Sequence, residues 1–156
     1  MNLTGEFHVD ASPQSVWSVL IDPDILCRLS STCREARQID ETHYEGIIET
    51  RVALVRVTAQ ILGEVLDATE PTVLRVAFQG RTHGLAGSLH GTAFLRLEAG
   101  SAGTVGRYTL NMSVLGRLGA LGQPLLQKTA QRLAHGFAER VSVFARENAK
   151  QGPTST

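Results

Sequence analysis

The sequence predicts an α+β domain: one curved antiparallel sheet of about six or seven strands wrapped around a long C-terminal helix. Three observations carry this. From Gly122 to about Glu147, apolar residues recur in steps of three and four, so that Leu126, Ala130, Leu133, Phe137, Val141 and Phe144 share one helical face. Such a helix is about 39 Å long, more than the end of a small domain needs as a cap, and it must lie along something equally long. Almost everything before it alternates with a period of two, as strands with one wet face do. Turn-forming residues separate these runs at Asp40-Glu41, Glu70-Pro71, Gly84 to Gly87 and Gly100 to Gly103.

The first strand sets Leu3, Gly5, Phe7 and Val9 against Thr4, Glu6, His8 and Asp10. Ser12 is then an N-cap with Pro13 at the first helical position, which opens a helix through Val16, Trp17, Val19 and Leu20. Asp22-Pro23 repeats the signal, so a second short helix carries Ile25 and Leu26. From Glu35 the period is two. The inward phase reads Tyr44, Gly46, Ile48, Thr50 and Val52, then Val55 and Val57 to Val65 at alternate positions, then Leu74, Val76 and Phe78. Leu89, Ala93, Leu95 and Leu97, followed by Tyr108, Leu110, Met112 and Val114, complete the set. Pro124 predicts a break or kink near Gly122, with the long helix starting afresh.

At 156 residues the chain is long enough to bury a core without staples, and it reads as one domain over 1–148 followed by a disordered tail over 149–156. No apolar run reaches the ~18 residues of a membrane span, and the N-terminus lacks the pattern of a secretory signal. The expected location is the cytoplasm, with at most peripheral contact at the inner membrane face. Cys27 and Cys33 lack the spacing of a metal site and are expected to be reduced structural thiols.

Formal charge is zero but unevenly spread. Residues 1–70 hold twelve acidic and five basic residues, whereas 71–156 hold three acidic and ten basic. The two halves can attract each other or a partner. The basic run from Arg117 to Lys150 reads as a solvated face, with contact to an anionic lipid surface as the alternative. Nucleic acid is not an expected partner, because the chain is not basic overall and few aromatic residues interleave with its arginines.

The residues show no catalytic set, no metal site and no cofactor motif. His83 and His90 flank a glycine-rich turn and could meet across a hairpin, but no third ligand stands at a recognisable spacing. His8, His43 and His135 fall on polar faces. Tyr108, in phase with Leu110 and Met112, is an inward phenol that needs a partner. Gly46, Gly63, Gly80 and Gly91 also fall on the inward phase, where they either bend the sheet or leave space.

Three blocks of residues carry a resemblance over residues 1 to about 147. The first is Leu3-Thr4-Gly5 with Val9, Pro13, Val16-Trp17, Leu20, Asp22-Pro23 and Leu26. The second is Gly80, Gly84, Gly87, Gly91-Thr92-Ala93 and Arg96-Leu97. The third is Gly103-Thr104, Tyr108, Val114, Gly116, Leu118, Leu121-Gly122 and Phe137. In this order they resemble the CoxG-like family of carbon monoxide dehydrogenase proteins, within the helix-grip superfamily of the birch-pollen allergen, lipid-transfer (START) proteins and polyketide cyclases (SRPBCC). The chain departs from the family where a Cys-Ile-Pro-Gly-Cys-like segment is usual, here Leu29 to Cys33, and where a Gly-Pro turn is common, here Ala53-Leu54.

The resemblance implies a cavity between sheet and helix that holds a hydrophobic or amphipathic molecule, lipid-like or quinone-like. It also implies, as one option, an accessory role to a molybdenum-containing carbon monoxide dehydrogenase-type redox enzyme. The expected lining is Ile61, Phe78, Leu89, Ala93, Tyr108, Leu110 and Met112 from the sheet, with Leu126, Ala130, Leu133 and Phe137 from the helix. A non-enzymatic carrier is the first reading, since that set contains no Asp, Glu, His or Lys. A cyclase or dehydratase using the same cavity, and an assembly or recruitment partner acting through its charged surface, are the alternatives.

Overall fold

The computed structural model describes residues 1–150, with side chains described through residue 148. Strand β1 (Asn2–Val9) leads into helices α1 (Pro13–Leu20) and α2 (Pro23–Leu29). Six strands follow: β2 (Cys33–Gln38), β3 (His43–Val52), β4 (Val55–Thr69), β5 (Val73–His83), β6 (Gly87–Gly100) and β7 (Gly103–Leu115). A single turn, α3 (Gly116–Gly119), precedes α4 (Gln123–Lys150). The seven strands form one antiparallel sheet in the order β1-β7-β6-β5-β4-β3-β2. Sequential hairpins build it from β2 to β7, and β1 closes the far edge. The tail expected over 149–156 begins inside α4, which runs to Lys150, and 151–156 lie outside the described residues.

Local chemistry sets the helix ends. Ser12 Oγ accepts from the Ser15 backbone N–H at 3.2 Å and starts α1, and Asp22 accepts from Asp24 and Ile25 to start α2. Before α4, Gly122 takes φ +95°, a conformation that favours glycine, and its carbonyl accepts from the Leu126 N–H at 3.2 Å to open the long helix. Pro124 then stands in the first turn of α4, where a missing N–H costs nothing, so the expected break falls between two helices and leaves the long one continuous.

The core divides into two clusters at opposite ends of α4. Val9, Val16, Trp17, Val19, Leu97, Val141 and Ala145 form the larger, joining β1, α1, β6 and the C-terminal half of α4. Val52, Val57 and Leu118 form the smaller, with Leu85, Val114, Leu121 and Leu126 packed against it. Hydrogen bonds lock the first end: Thr104 Oγ1 donates to the Ala11 carbonyl at 2.7 Å, and Ser142 Oγ donates to the His8 carbonyl at 3.2 Å. Helix α4 therefore lies closest to β1 and α1. Between the clusters the inner face of β2 to β5 is only partly covered.

One expectation fails here. Cys27 on α2 and Cys33 at the start of β2 are joined in a disulfide, with Cα atoms 5.1 Å apart. The spacing that suits no metal site does suit a bridge, because α2 folds back on the edge strand β2 and brings the two Cβ atoms together.

Candidate functional site

Cross-strand register places Tyr44, Gly63, Phe78, Gly91 and Met112 in one inward row, with Ile48 and Ala59 further along the same phase. Over the β2–β5 part of this face lies an apolar cavity of about 480 Å³. Its sheet wall includes Ala36, Tyr44, Ile48, Ile61, Val65, Leu74, Val76 and Phe78. Leu20, Ile21, Pro23, Leu26 and Cys27 close it from α1, α2 and their junction, Cys33 completes the disulfide at its edge, and Phe137 enters from α4.

Three of the residues expected from sequence, Ile61, Phe78 and Phe137, line this cavity. Leu89 borders a different hollow, while Leu126 packs on the Val52–Val57–Leu118 cluster. Ala93, Leu110 and Met112 lie half-buried on the inner phase of β6 and β7, and Ala130 and Leu133 lie half-buried on α4, all outside the cavity lining. The ring of Tyr108 lies over Gly5 of β1, against the place a Cβ would occupy. The alternation that revealed the inward phase could not show which strands the helix covers. The walls that sequence reasoning missed come from α1 and α2, whose apolar residues also read as ordinary core.

The inward glycines divide between bending the sheet and leaving space. At Gly63 an added Cβ would meet nothing nearer than Val76 at 3.8 Å, so its missing side chain is open cavity. At Gly91 the backbone carbonyl of Asn111 lies 2.0 Å from the Cβ position, with Met112 Cα and the tip of the Phe78 ring both at 2.9 Å, so close approach of β6 and β7 leaves no space there. Gly80 has a backbone carbonyl, Gln60 O, 2.7 Å from the Cβ position, which marks a close approach of strands.

Few polar groups reach the cavity. Tyr44 presents a phenol without a hydrogen-bond partner among the described residues, whereas Ser30 Oγ is already paired with Thr32 Oγ1 at 3.0 Å. Glu45 borders the rim but belongs to the outward phase, where it pairs with Arg37. Glu64 also faces outward, 3.2 Å from His43 Nε2. His43 Nδ1–H also donates to Asp40 Oδ1 at 2.9 Å, and this contact raises the His43 pKa while Thr42 N–H and His43 hold Asp40 down to about 2. His83 and His90 do not meet: His90 stands opposite Gln79 and His83 opposite Thr58, both exposed. Among the described residues no three His, Cys, Asp or Glu side chains cluster as a metal site.

A second hollow, of about 1070 Å³, crosses β2 to β6 and is lined mostly by outward-phase residues such as Arg37, Gln60, Gln79, Arg81 and His90. It is larger but mixes charged and amide side chains with apolar ones such as Ile47 and Leu62, so a mostly apolar guest fits the smaller space better.

The profile of the family described as the carbon monoxide dehydrogenase CoxG subunit matches residues 5–144. The chain belongs to that family. Among solved structures, a conserved protein from Geobacillus kaustophilus superposes on this CoxG-family chain with a TM-score of 0.86 at 24% identity, covering 94% of this chain and 96% of that one. The Zhui aromatase/cyclase from Streptomyces sp. R1128 follows the same fold with a TM-score of 0.67 at 16% identity, covering 96% and 95%. Ara h 8.0201 does so with 0.64 at 12% identity, covering 93% and 97%. The CoxG-family chain thus has the helix-grip fold of the Bet v 1-like and cyclase (SRPBCC) proteins. No curated protein matches it.

Proposed function

We propose that this CoxG-family protein is a carrier that holds a mostly apolar small molecule, lipid-like or quinone-like, between its sheet and its helices. The observation that carries this reading is the cavity of about 480 Å³, within the roughly 300–1,000 Å³ of small-molecule sites and walled almost entirely by aliphatic and aromatic side chains. The Tyr44 phenol, which has no partner among the described residues, suits a guest with one hydrogen-bonding oxygen on an otherwise apolar body. A cyclase-type reaction needs an ionisable group inside, and Glu64, His83 and His90 all point elsewhere, which favours carriage over catalysis.

Family membership supports a finer reading, in which the carrier serves a molybdenum carbon monoxide dehydrogenase-type redox enzyme. The two charge halves are partly compensated within the molecule, where Arg107 meets Glu6 and Arg75 meets Asp67, so a role resting on surface charge alone has less support. Extraction of the purified protein with organic solvent, followed by mass spectrometry, tests the carrier reading. A stoichiometric apolar compound is expected. Empty extracts, together with no displaceable binding of a fluorescent fatty acid, would refute it. Co-purification with the redox enzyme from the native host tests the finer role separately.

A further inference from the structure

The Cys27–Cys33 bridge stands where the wall of the cavity is held least firmly. Helix α2 supplies Pro23, Leu26 and Cys27 to that wall, yet none of its residues is fully buried. Ile25 and Leu29, both half-buried, pack it on the larger core cluster, and its main contact is with β2. That strand is the edge of the sheet, paired on one side only and irregular between Cys33 and Glu35. Beside the bridge, Ala36 of β2 and Gly46 and Ile48 of β3 belong to the sheet wall. The disulfide therefore joins the helical wall to the sheet wall at the rim. Neither cysteine belongs to a core cluster, so the bridge secures the cavity rather than the core. Both cysteines are half-buried, within reach of an attacking thiolate.

We propose that the Cys27–Cys33 disulfide is a redox clasp on the cavity, closed by oxidation and opened by a protein dithiol. The clasp rests on the carrier reading and adds regulation of the same site. A thiolate of the reductant attacks one bridge sulfur to form a mixed disulfide, and the reductant's second thiol resolves it. The reductant leaves as a disulfide, and its two electrons and two protons convert Cys27 and Cys33 to thiols. Thr32 then stays on the sheet, because its carbonyl accepts from the Glu49 N–H at 2.8 Å, so α2 is the part that moves. The chain from Leu29 to Thr32 spans about 10 Å when extended, enough to let an alkyl chain or a single ring pass beneath the end of α2. Guest exchange is slow in the bridged protein and fast in the reduced one. A permanent staple fits less well, since an accessible bridge is a transient, responsive bond wherever the surroundings are reducing.

Release of dansyl-undecanoic acid from the full chain tests the clasp. Stopped-flow mixing with excess oleic acid gives the dissociation rate before and after treatment with dithiothreitol. Thiol counting and circular dichroism establish that the treated chain is reduced and folded. Reduction should accelerate release at least about tenfold, and reoxidation should restore the slow rate. The Cys27→Ser/Cys33→Ser variant should release at the fast rate with or without dithiothreitol. Amide exchange at Leu26 and Ser30, whose N–H groups donate to the Asp22 and Leu26 carbonyls, should quicken on reduction, while Ala59 in β4 stays unchanged. Equal release rates in the two states, or unaltered exchange in α2, would overturn the clasp and leave the carrier reading standing. Absence of probe binding in both states would overturn the carrier reading and the clasp with it. Unfolding on reduction would make the bridge a structural staple and overturn the clasp alone.

Discussion

Truncating Phe137 to alanine separates a helix that grips a sheet from one that grips a guest. Phe137 lies midway along α4; one side packs on the cluster of Val16, Trp17 and Leu97, and another borders the cavity. In a close-packed core Phe→Ala costs roughly 3–5 kcal/mol, through lost transfer energy and lost contacts around the new void. Where part of the ring already faces open space, those contacts are absent beforehand. The expected cost is about 1.5–2.5 kcal/mol in the ligand-free protein. Leu97, only 1% exposed and wholly within the core, provides the internal standard: Leu97→Ala should cost about 3 kcal/mol or more. Urea unfolding of both variants gives the two values, provided their m-values agree. Titration with a fluorescent fatty acid should show a changed affinity for Phe137→Ala and none for Leu97→Ala. A loss of more than about 3 kcal/mol with unaltered probe binding would mean that Phe137 is ordinary core, and the reasoning would fail.

Further outcomes follow from the same geometry. Gly63→Leu fills open cavity, so it should leave stability unchanged within about 1 kcal/mol and weaken probe binding at least tenfold, whereas Gly91→Leu would set a Cβ 2.0 Å from the Asn111 backbone carbonyl as well as against the Phe78 ring and should destabilise by about 3 kcal/mol or more. Tyr44→Phe should reduce affinity for a probe with a carbonyl by about five- to tenfold, consistent with one neutral hydrogen bond, and leave a pure hydrocarbon probe unaffected, as isothermal titration can show. Replacing Cys27 and Cys33 by serine opens a short loop and should cost roughly 2 kcal/mol in denaturant, while thiol counting on the unfolded parent should find no free thiols. The raised His43 pKa means that its contribution to stability is full below about 6.5 and is lost as pH rises through the folded value. Asp40, lowered to about 2, contributes above about 3.8 and loses that contribution as pH falls toward 2. An NMR titration should place the His43 midpoint above about 6.5, and Asp40→Asn should bring it down; a midpoint indifferent to that substitution would refute the assignment.

What could be read from sequence was whatever depends on periodicity and local chemistry. Alternation at Tyr44 to Val52 and at Leu89 to Leu97 marks one face because a strand turns its side chains over at every residue, and register carries that phase from strand to strand except at the irregularities between Cys33 and Glu35 in β2 and between Val65 and Asp67 in β4. Ser12-Pro13 and Asp22-Pro23 announce helices because capping involves only neighbours. The cavity's position is a different kind of quantity. It depends on how far the sheet curls away from α4 and on where α1 and α2 come to rest. Hence Leu110, Met112 and Leu133, in phase with the interior, stay outside the lining, while Leu20, Pro23 and Leu26 form part of it. The disulfide has the same origin: Cys27 and Cys33 bond because α2 lies against the edge strand, a packing outcome that neither residue's neighbours encode. Sequence by itself determined which side of each strand faces inward, because that rule is local. Only the tertiary structure decided which inward residues face a void, because a void is defined by the separation of elements that no single segment contains.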